Sequence, residues 1–300
     1  MRTRATLAAV AAGVVALPLA AVAAVSTVEV AKGDRVRVHC AAGSVQRIVW
    51  TSARYVAVEC KPTTTTPPDP TNPVPAGVPG SWRISFQDEF SGTALDLTQW
   101  DGVWFNEGGG MNNVGTYSRN VSVANGEVRL QLSSSSEGAL IHTAGGDGGE
   151  AGRYGLPVGS VTEARIWFPG NGDQLFNWPA WWANDTYDGV SGQPVSGEHD
   201  IAEVLSSGDL TVNYHSPSGA HNQGSVAGYW GDAWHTYALH RKANSADVYW
   251  DGRLVKSYPT DDAGQPIDLI LNVGSGKGPT VTGAAGALRV DYVRAWAPAQ

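Results

Sequence analysis

Beyond residue 80 the chain alternates apolar and polar positions in short runs. VSVANGEVRLQL alternates on both sides of Asn125-Gly126, and DVYWDGRLVKSY does so around Asp251-Gly252. A two-residue Asn-Gly or Asp-Gly between alternating runs predicts a tight hairpin, because both central residues of that turn need positive φ. IDLILNV reads as a short apolar strand, and ALRVDYVRAW alternates again near the C-terminus. No ten-residue stretch carries a convincing apolar stripe of period 3.6, and no repeat of fixed period points to a propeller. The pattern predicts one all-β domain over residues 81–300, a sandwich or jelly roll.

The residues before it divide into three parts. MRTR and the charge-free run Ala5–Val25 read as an export signal over residues 1–24, with small residues at Ala21, Ala23 and Ala24 suited to cleavage near Ala23 or Ala24. The run is rich in Ala and Gly and contains Pro18, which favours secretion over a membrane anchor. Residues 25–60 read as a small β module, since VEVAKGDRVRVHC and RYVAVEC both alternate. In an exported chain its two cysteines, Cys40 and Cys60, are expected to form a disulfide. Its role stays open between spacer and sugar binder. Lys61–Gly80, dominated by Pro and Thr, reads as an extended tether.

Composition removes one partner class. The net charge is −8 and no run of Lys and Arg occurs, so no basic stripe exists for nucleic acid. A secreted monomer without stable membrane association is expected. Eleven of the 12 Trp lie beyond residue 80, which favours a saccharide cleft, since indole faces stack on sugar rings.

The chemistry concentrates in GEHDIAEVL. On a regular strand Glu198 and Asp200 share one face and Glu203 takes the other, with His199 and Ile201. A β-bulge between Asp200 and Glu203 would bring the third acid onto the first face. Three converging carboxyls keep one protonated while another is ionised. A retaining glycosidase needs that division, with a nucleophile and a proton donor about 5–5.5 Å apart. A solvated acidic edge strand or a calcium cluster would also gather acids. Just upstream, NWPAWWAND places Trp178, Trp181 and Trp182 close together; alternation puts one of the last two in the cleft and the other in the core.

From Trp82 to Trp296 the chain resembles glycoside hydrolase family 16, whose members include laminarinases, lichenases and agarases. FQDEFSGTALDLTQW, TEARIWFP, WPAWW, WHTYALHRKANSADVYWDGRLV and VDYVRAW follow the family's order, and EHDIAE fits its ExDxxE signature. The resemblance implies a concanavalin A-like β-jelly roll of two antiparallel sheets with a concave cleft. It makes Glu198 the nucleophile, Asp200 its helper and Glu203 the general acid/base. It further implies substrate contacts at Trp178, Trp182, Glu163, Arg165, His215 and Asn112. No organic cofactor is implied. A structural calcium at Glu89, the Gly126 carbonyl and Asp291 is. The expected activity is hydrolysis of β-1,3- or mixed-linked glucan by an endo-acting retaining enzyme. Gln193 stands where laminarinases have Trp, and His199 where Ile is usual, which leaves the chemistry intact and keeps galactans open as substrate; transglycosylation by the same glycosyl-enzyme and a non-catalytic lectin-like role on the same fold are further alternatives.

Overall fold

The computed structural model describes residues 73–144, 153–171, 174–184, 197–205, 208–216, 218–220, 223–262 and 264–299, together with the backbones of strands 24–29, 44–51 and 55–62. The chain forms two compact units, Met1–Pro68 and Asp69–Gln300. In the first, Tyr55–Pro62 lies between Ala24–Glu29 and Ser44–Thr51 in an antiparallel sheet. The export leader up to residue 23, Cys40, the side chain of Cys60, and residues 63–72 of the expected tether lie outside the described residues. Among the described residues no helix is long and apolar enough to cross a membrane.

The second unit is an all-β jelly-roll sandwich of an eight-stranded and a nine-stranded sheet. The nine-stranded sheet runs, among its long members, from Leu210–Ser216 through Glu198–Val204, Trp178–Asn184 and Asp268–Gly274 to Glu137–His142. At the centre of the eight-stranded sheet, His235–Arg241, Val161–Trp167 and Leu288–Pro298 are neighbours. Alternation sets which side chains enter the space between the sheets. Trp181, Ala183, Leu269, Leu271 and Val273 do so from one side, and Ala164, Ile166, Val290 and Val293 from the other. Trp250 and Trp296 are also fully buried.

Both predicted hairpins form. Asn125 and Gly126 have φ of 57° and 75°, Asp251 and Gly252 of 48° and 69°, and each pair joins two adjacent antiparallel strands. A third turn of this kind, Asn112-Asn113 at φ 50° and 66°, links Gly109–Met111 to Val114–Thr116.

The end of the stretch expected as a tether belongs to the sandwich. The Pro73 carbonyl accepts the Trp296 indole N–H at 2.7 Å, and the Ala76 amide donates to Glu163 at 2.9 Å. Val78 is buried against Val161, Ala238, Tyr249 and Trp296. Pro and Gly composition reads as a free linker, but this part of it supplies a cover for a polar and aromatic face that would otherwise be bare.

Candidate active site

The acids stand on Glu198–Val204, which is interior to its sheet, between Leu210–Ser216 and Trp178–Asn184. This removes the reading of a solvated edge strand. The register carries the expected bulge. Against one neighbour, Asp200 pairs with Asn213 and Glu203 with Thr211, three steps against two. Against the other, Trp182 faces Asp200 and Trp181 faces Ala202, so Ile201 is the surplus residue. Ile201 and Ala202 therefore both enter the core, and Glu203 returns to the face of Glu198 and Asp200. The bulge is anchored from across the sandwich, where the Trp250 indole donates to the Ile201 carbonyl at 3.0 Å. Gly197 opens the strand at φ 97°, and a Cβ there would sit 2.8 Å from the Tyr214 hydroxyl, so glycine is required at the entry.

Directly opposed residues in antiparallel strands share a face. The acid face thus includes Thr211, Asn213 and His215 on one side, and Trp178, Ala180, Trp182 and Asn184 on the other. His215 Nε2 lies 3.2 Å from Asp200 Oδ2 and 3.7 Å from Glu198 Oε1. Asn184 donates to Glu198 Oε2 at 3.2 Å. Glu203 accepts two hydrogen bonds, from Trp178 Nε1 at 2.8 Å and Asn213 Nδ2 at 3.2 Å. Among the described residues, three buried polar atoms of this face make no well-aligned hydrogen bond: Asn184 Oδ1, Asn272 Nδ2 and Asp200 Oδ2, the last despite its nearness to His215. Such orphans are expensive in a core and are explained by a face that receives a polar ligand or water.

Burial raises all three carboxyls above their ordinary range. Asp200 is raised well above it, by burial and then by the charge of Glu203. Glu198 is pushed up to about 8, first by burial and then by the charge of Asp200. These two effects are not independent. Asp200 is the more deeply enclosed and keeps its proton, and a neutral Asp200 no longer opposes ionisation of Glu198. His215 and Asn184 then favour the Glu198 carboxylate. Glu203 is raised by burial and drawn back by Trp178, Asn213, His215 and Lys277. One face thus holds a carboxyl that keeps its proton, one that can ionise and one poised to exchange a proton.

The other expected contacts divide. Trp182 shares the acid face, but at 4% exposure it is packed beside Trp104, with ring centroids 6.0 Å apart, and its N–H goes to Asn272 at 2.8 Å. It supports the site from within and presents no stacking surface. Trp181 points into the core, as alternation required of one of the pair. Asn112 lies in the hairpin beside this face: its carbonyl accepts the Ser275 amide at 3.0 Å, and it lines an open hollow with Trp104, Met111 and Asn113. Gln193 lies outside the described residues.

Glu163 and Arg165 are a correction. They do share a strand face, but on the eight-stranded sheet, away from the acids. Glu163 is buried, bonded to the Tyr292 hydroxyl at 2.8 Å and the Ala76 amide, and Arg165 pairs with Asp291 at 2.6 Å. Alternation identifies a common face; it does not say which sheet the strand joins. The residues expected to hold calcium do not fit an oxygen cage. Asp291 is engaged by Arg165, and Glu89 is held by both Arg294 nitrogens at 2.7 and 2.8 Å.

Four side chains at the site were not singled out from the sequence: Asn213, Asn184, Asn272 and Lys277. Asn213 stands two residues before His215 and Asn184 two after Trp182, so strand alternation alone could have placed both on the cleft face. His199, unusual at its position, points between the sheets. Its Nδ1 lies 3.0 Å from the Tyr258 hydroxyl and its Nε2 3.6 Å from Asp262, which Arg241 holds at 2.8 Å. Burial lowers its pKa and keeps it neutral.

No protein-family model matches the chain, and no curated protein does. Solved structures do. An endo-β-1,3-glucanase from Pyrococcus furiosus is 20% identical with a TM-score of 0.59, over 75% of this chain and 98% of that one. A laminarinase from Rhodothermus marinus is 21% identical with a TM-score of 0.58, over 73% and 98%. A non-specific endo-β-1,3(4)-glucanase of glycoside hydrolase family 16 is 22% identical with a TM-score of 0.59, over 75% and 95%. Likeness at this level of identity establishes that the second unit has the jelly-roll fold of these enzymes.

Proposed function

We propose that this chain is an exported, endo-acting retaining β-glycanase of the glycoside hydrolase family 16 type, cleaving β-1,3- or mixed β-1,3-1,4-linked glucan. The observation that carries the reading is the bulge at Ile201, which puts Glu198, Asp200 and Glu203 on one face where burial raises all three carboxyls. The names of the structural neighbours support glucan as substrate, and the leader at residues 1–24 supports export.

In the proposed cycle Glu198 attacks the anomeric carbon while Glu203 protonates the glycosidic oxygen. The carbon–oxygen bond breaks, and a glycosyl ester forms on Glu198. Glu203, now a carboxylate, takes a proton from water as that water attacks the same carbon, and Glu198 is released. Asp200 stays neutral beside Glu198 and so adds no charge that would oppose the ester's departure. Trp178 and Asn213 hold Glu203 through both proton transfers. Residues of the chain supply every group the two displacements need.

Glu198→Gln and Glu203→Gln are each expected to lose activity on laminarin or lichenan by about 10³-fold or more, with unchanged circular dichroism. The sugar released first from a β-linked substrate is expected to be the β anomer, read by NMR. Wild-type rates in either variant, or an α anomer, would overturn the assignment. Agarose and carrageenan in the same assay decide between glucan and galactan.

A further inference from the structure

Lys277 follows Asp268–Gly274, the strand that pairs with Trp178–Asn184. Its ammonium stands 4.4 Å from the centre of the Trp178 ring. That indole donates its N–H to Glu203 Oε1 at 2.8 Å. The loop carrying the lysine is fixed on both sides. The Gly278 amide donates to Asn177 O at 2.8 Å, the Asn177 amide to Pro279 O at 3.0 Å, and the Ser275 amide to Asn112 O at 3.0 Å. The backbone that places Lys277 is therefore tied to the residue immediately before Trp178.

We propose that Lys277 is a positioning residue for the proton donor: seated on Trp178, it holds the indole N–H on Glu203 and polarises it toward the carboxylate. A cation over an indole face is attracted to the ring, and it withdraws charge toward itself, which makes the N–H a stronger donor. A stronger hydrogen bond to the ionised form favours that form. Among the described residues, the charged and titratable groups facing Glu203 are Asp200 and Glu198 from its own strand, His215 from the adjacent strand, and Lys277. Asn213 and Trp178 are its neutral donors. His215 stands beside the other two carboxyls, at 3.2 Å from Asp200 and 3.7 Å from Glu198, whereas Lys277 reaches Glu203 through Trp178. Burial pushes Glu203 up, and the lysine charge is among the effects that draw it back. A group that must give a proton in one step and take one in the next works best when neither form is locked in.

The inference rests on Glu203 being the acid/base, and the test separates the two. Lys277→Met is expected to shift the alkaline limb of the kcat/KM profile upward by about half to one pH unit, since Glu203 then keeps its proton longer. Lys277→Arg, which keeps the cation, is expected to leave the limb in place. The second readout needs no activity. In ¹⁵N-tryptophan-labelled protein the Trp178 indole resonance should titrate with Glu203, lose that titration in Glu203→Gln, and show a higher midpoint in Lys277→Met. A midpoint and limb both within about 0.2 unit of wild type in Lys277→Met, or an equal shift in Lys277→Arg, would overturn the positioning role. An indole midpoint that moves as stated in a protein inactive on every β-glycan would leave the Lys277–Trp178–Glu203 linkage standing and overturn the glycanase reading instead.

Discussion

At the residue scale Glu198 costs the fold stability. Its carboxyl has an ordinary value of 4.5 and is pushed up to about 8 in the fold, chiefly by burial. Between those values the folded state binds more protons than the unfolded one, so stability falls as pH rises through that window. Below about 4.5 both states are protonated and the cost vanishes. Glu198→Gln removes the charge without changing the shape. It is expected to raise Tm at pH 8 by at least about 3 °C relative to wild type, and by much less at pH 4. Equal shifts at the two pH values would show that the carboxylate is not the source of the cost. His199 follows the same logic in the opposite direction. It meets the core as a neutral ring with Tyr258 and Asp262 as its polar neighbours, which is how a strand facing the space between two sheets accommodates an imidazole where a branched apolar side chain would pack more simply.

At the scale of the element, the bulge decides whether the three acids meet. Deleting Ile201 restores simple alternation, with Glu198, Asp200 and Glu203 two residues apart each and all still on one face. The deletion variant is therefore expected to fold, to lose the Trp250 bond to the bulge carbonyl, and to stay at least tenfold more active than Glu203→Gln. A folded deletion variant as inactive as Glu203→Gln would show that the bulge sets more than the face. The sequence pointed to the bulge, because spacings of two and three among three acids expected on one face conflict with a period of two. The Asn125-Gly126 and Asp251-Gly252 hairpins were legible too, since local chemistry dictates the turn. The sheet that receives Val161–Trp167 was not legible, since alternation is a local property and sheet membership is set by long-range pairing. Glu163 and Arg165 were misplaced for that reason. Trp182 was misjudged for another: its face was right, but Trp104, 78 positions earlier in the chain, packs beside it.

At the scale of the whole molecule, the second unit begins earlier than composition suggests. Pro73–Gly80 brings three things to the sandwich: an acceptor for the buried Trp296 indole, a backbone donor for the buried Glu163 carboxylate, and Val78 over an apolar cluster. Glu163 is 2% exposed and raised by burial, and Ala76 and Tyr292 are the hydrogen bonds that favour its charged form. A chain beginning at Ser81 would strip away one of these bonds, leave the Trp296 N–H to water and expose part of the apolar cluster. Each lost buried partner costs about 1–3 kcal/mol, and about 2–4 °C of Tm accompanies each kcal/mol in a domain of this size. A chain beginning at Pro73 is therefore expected to melt where the full chain's second unit melts, and one beginning at Ser81 about 5–10 °C lower. Glu163→Gln in the chain beginning at Ser81 should recover part of that loss at alkaline pH, because it removes a buried acid whose ionisation no longer has its backbone donor. Melting curves that coincide for the two chains would show that the segment lies on the sandwich without stabilising it. The acid face is on the other sheet, so activity per folded molecule is expected to be the same in both chains.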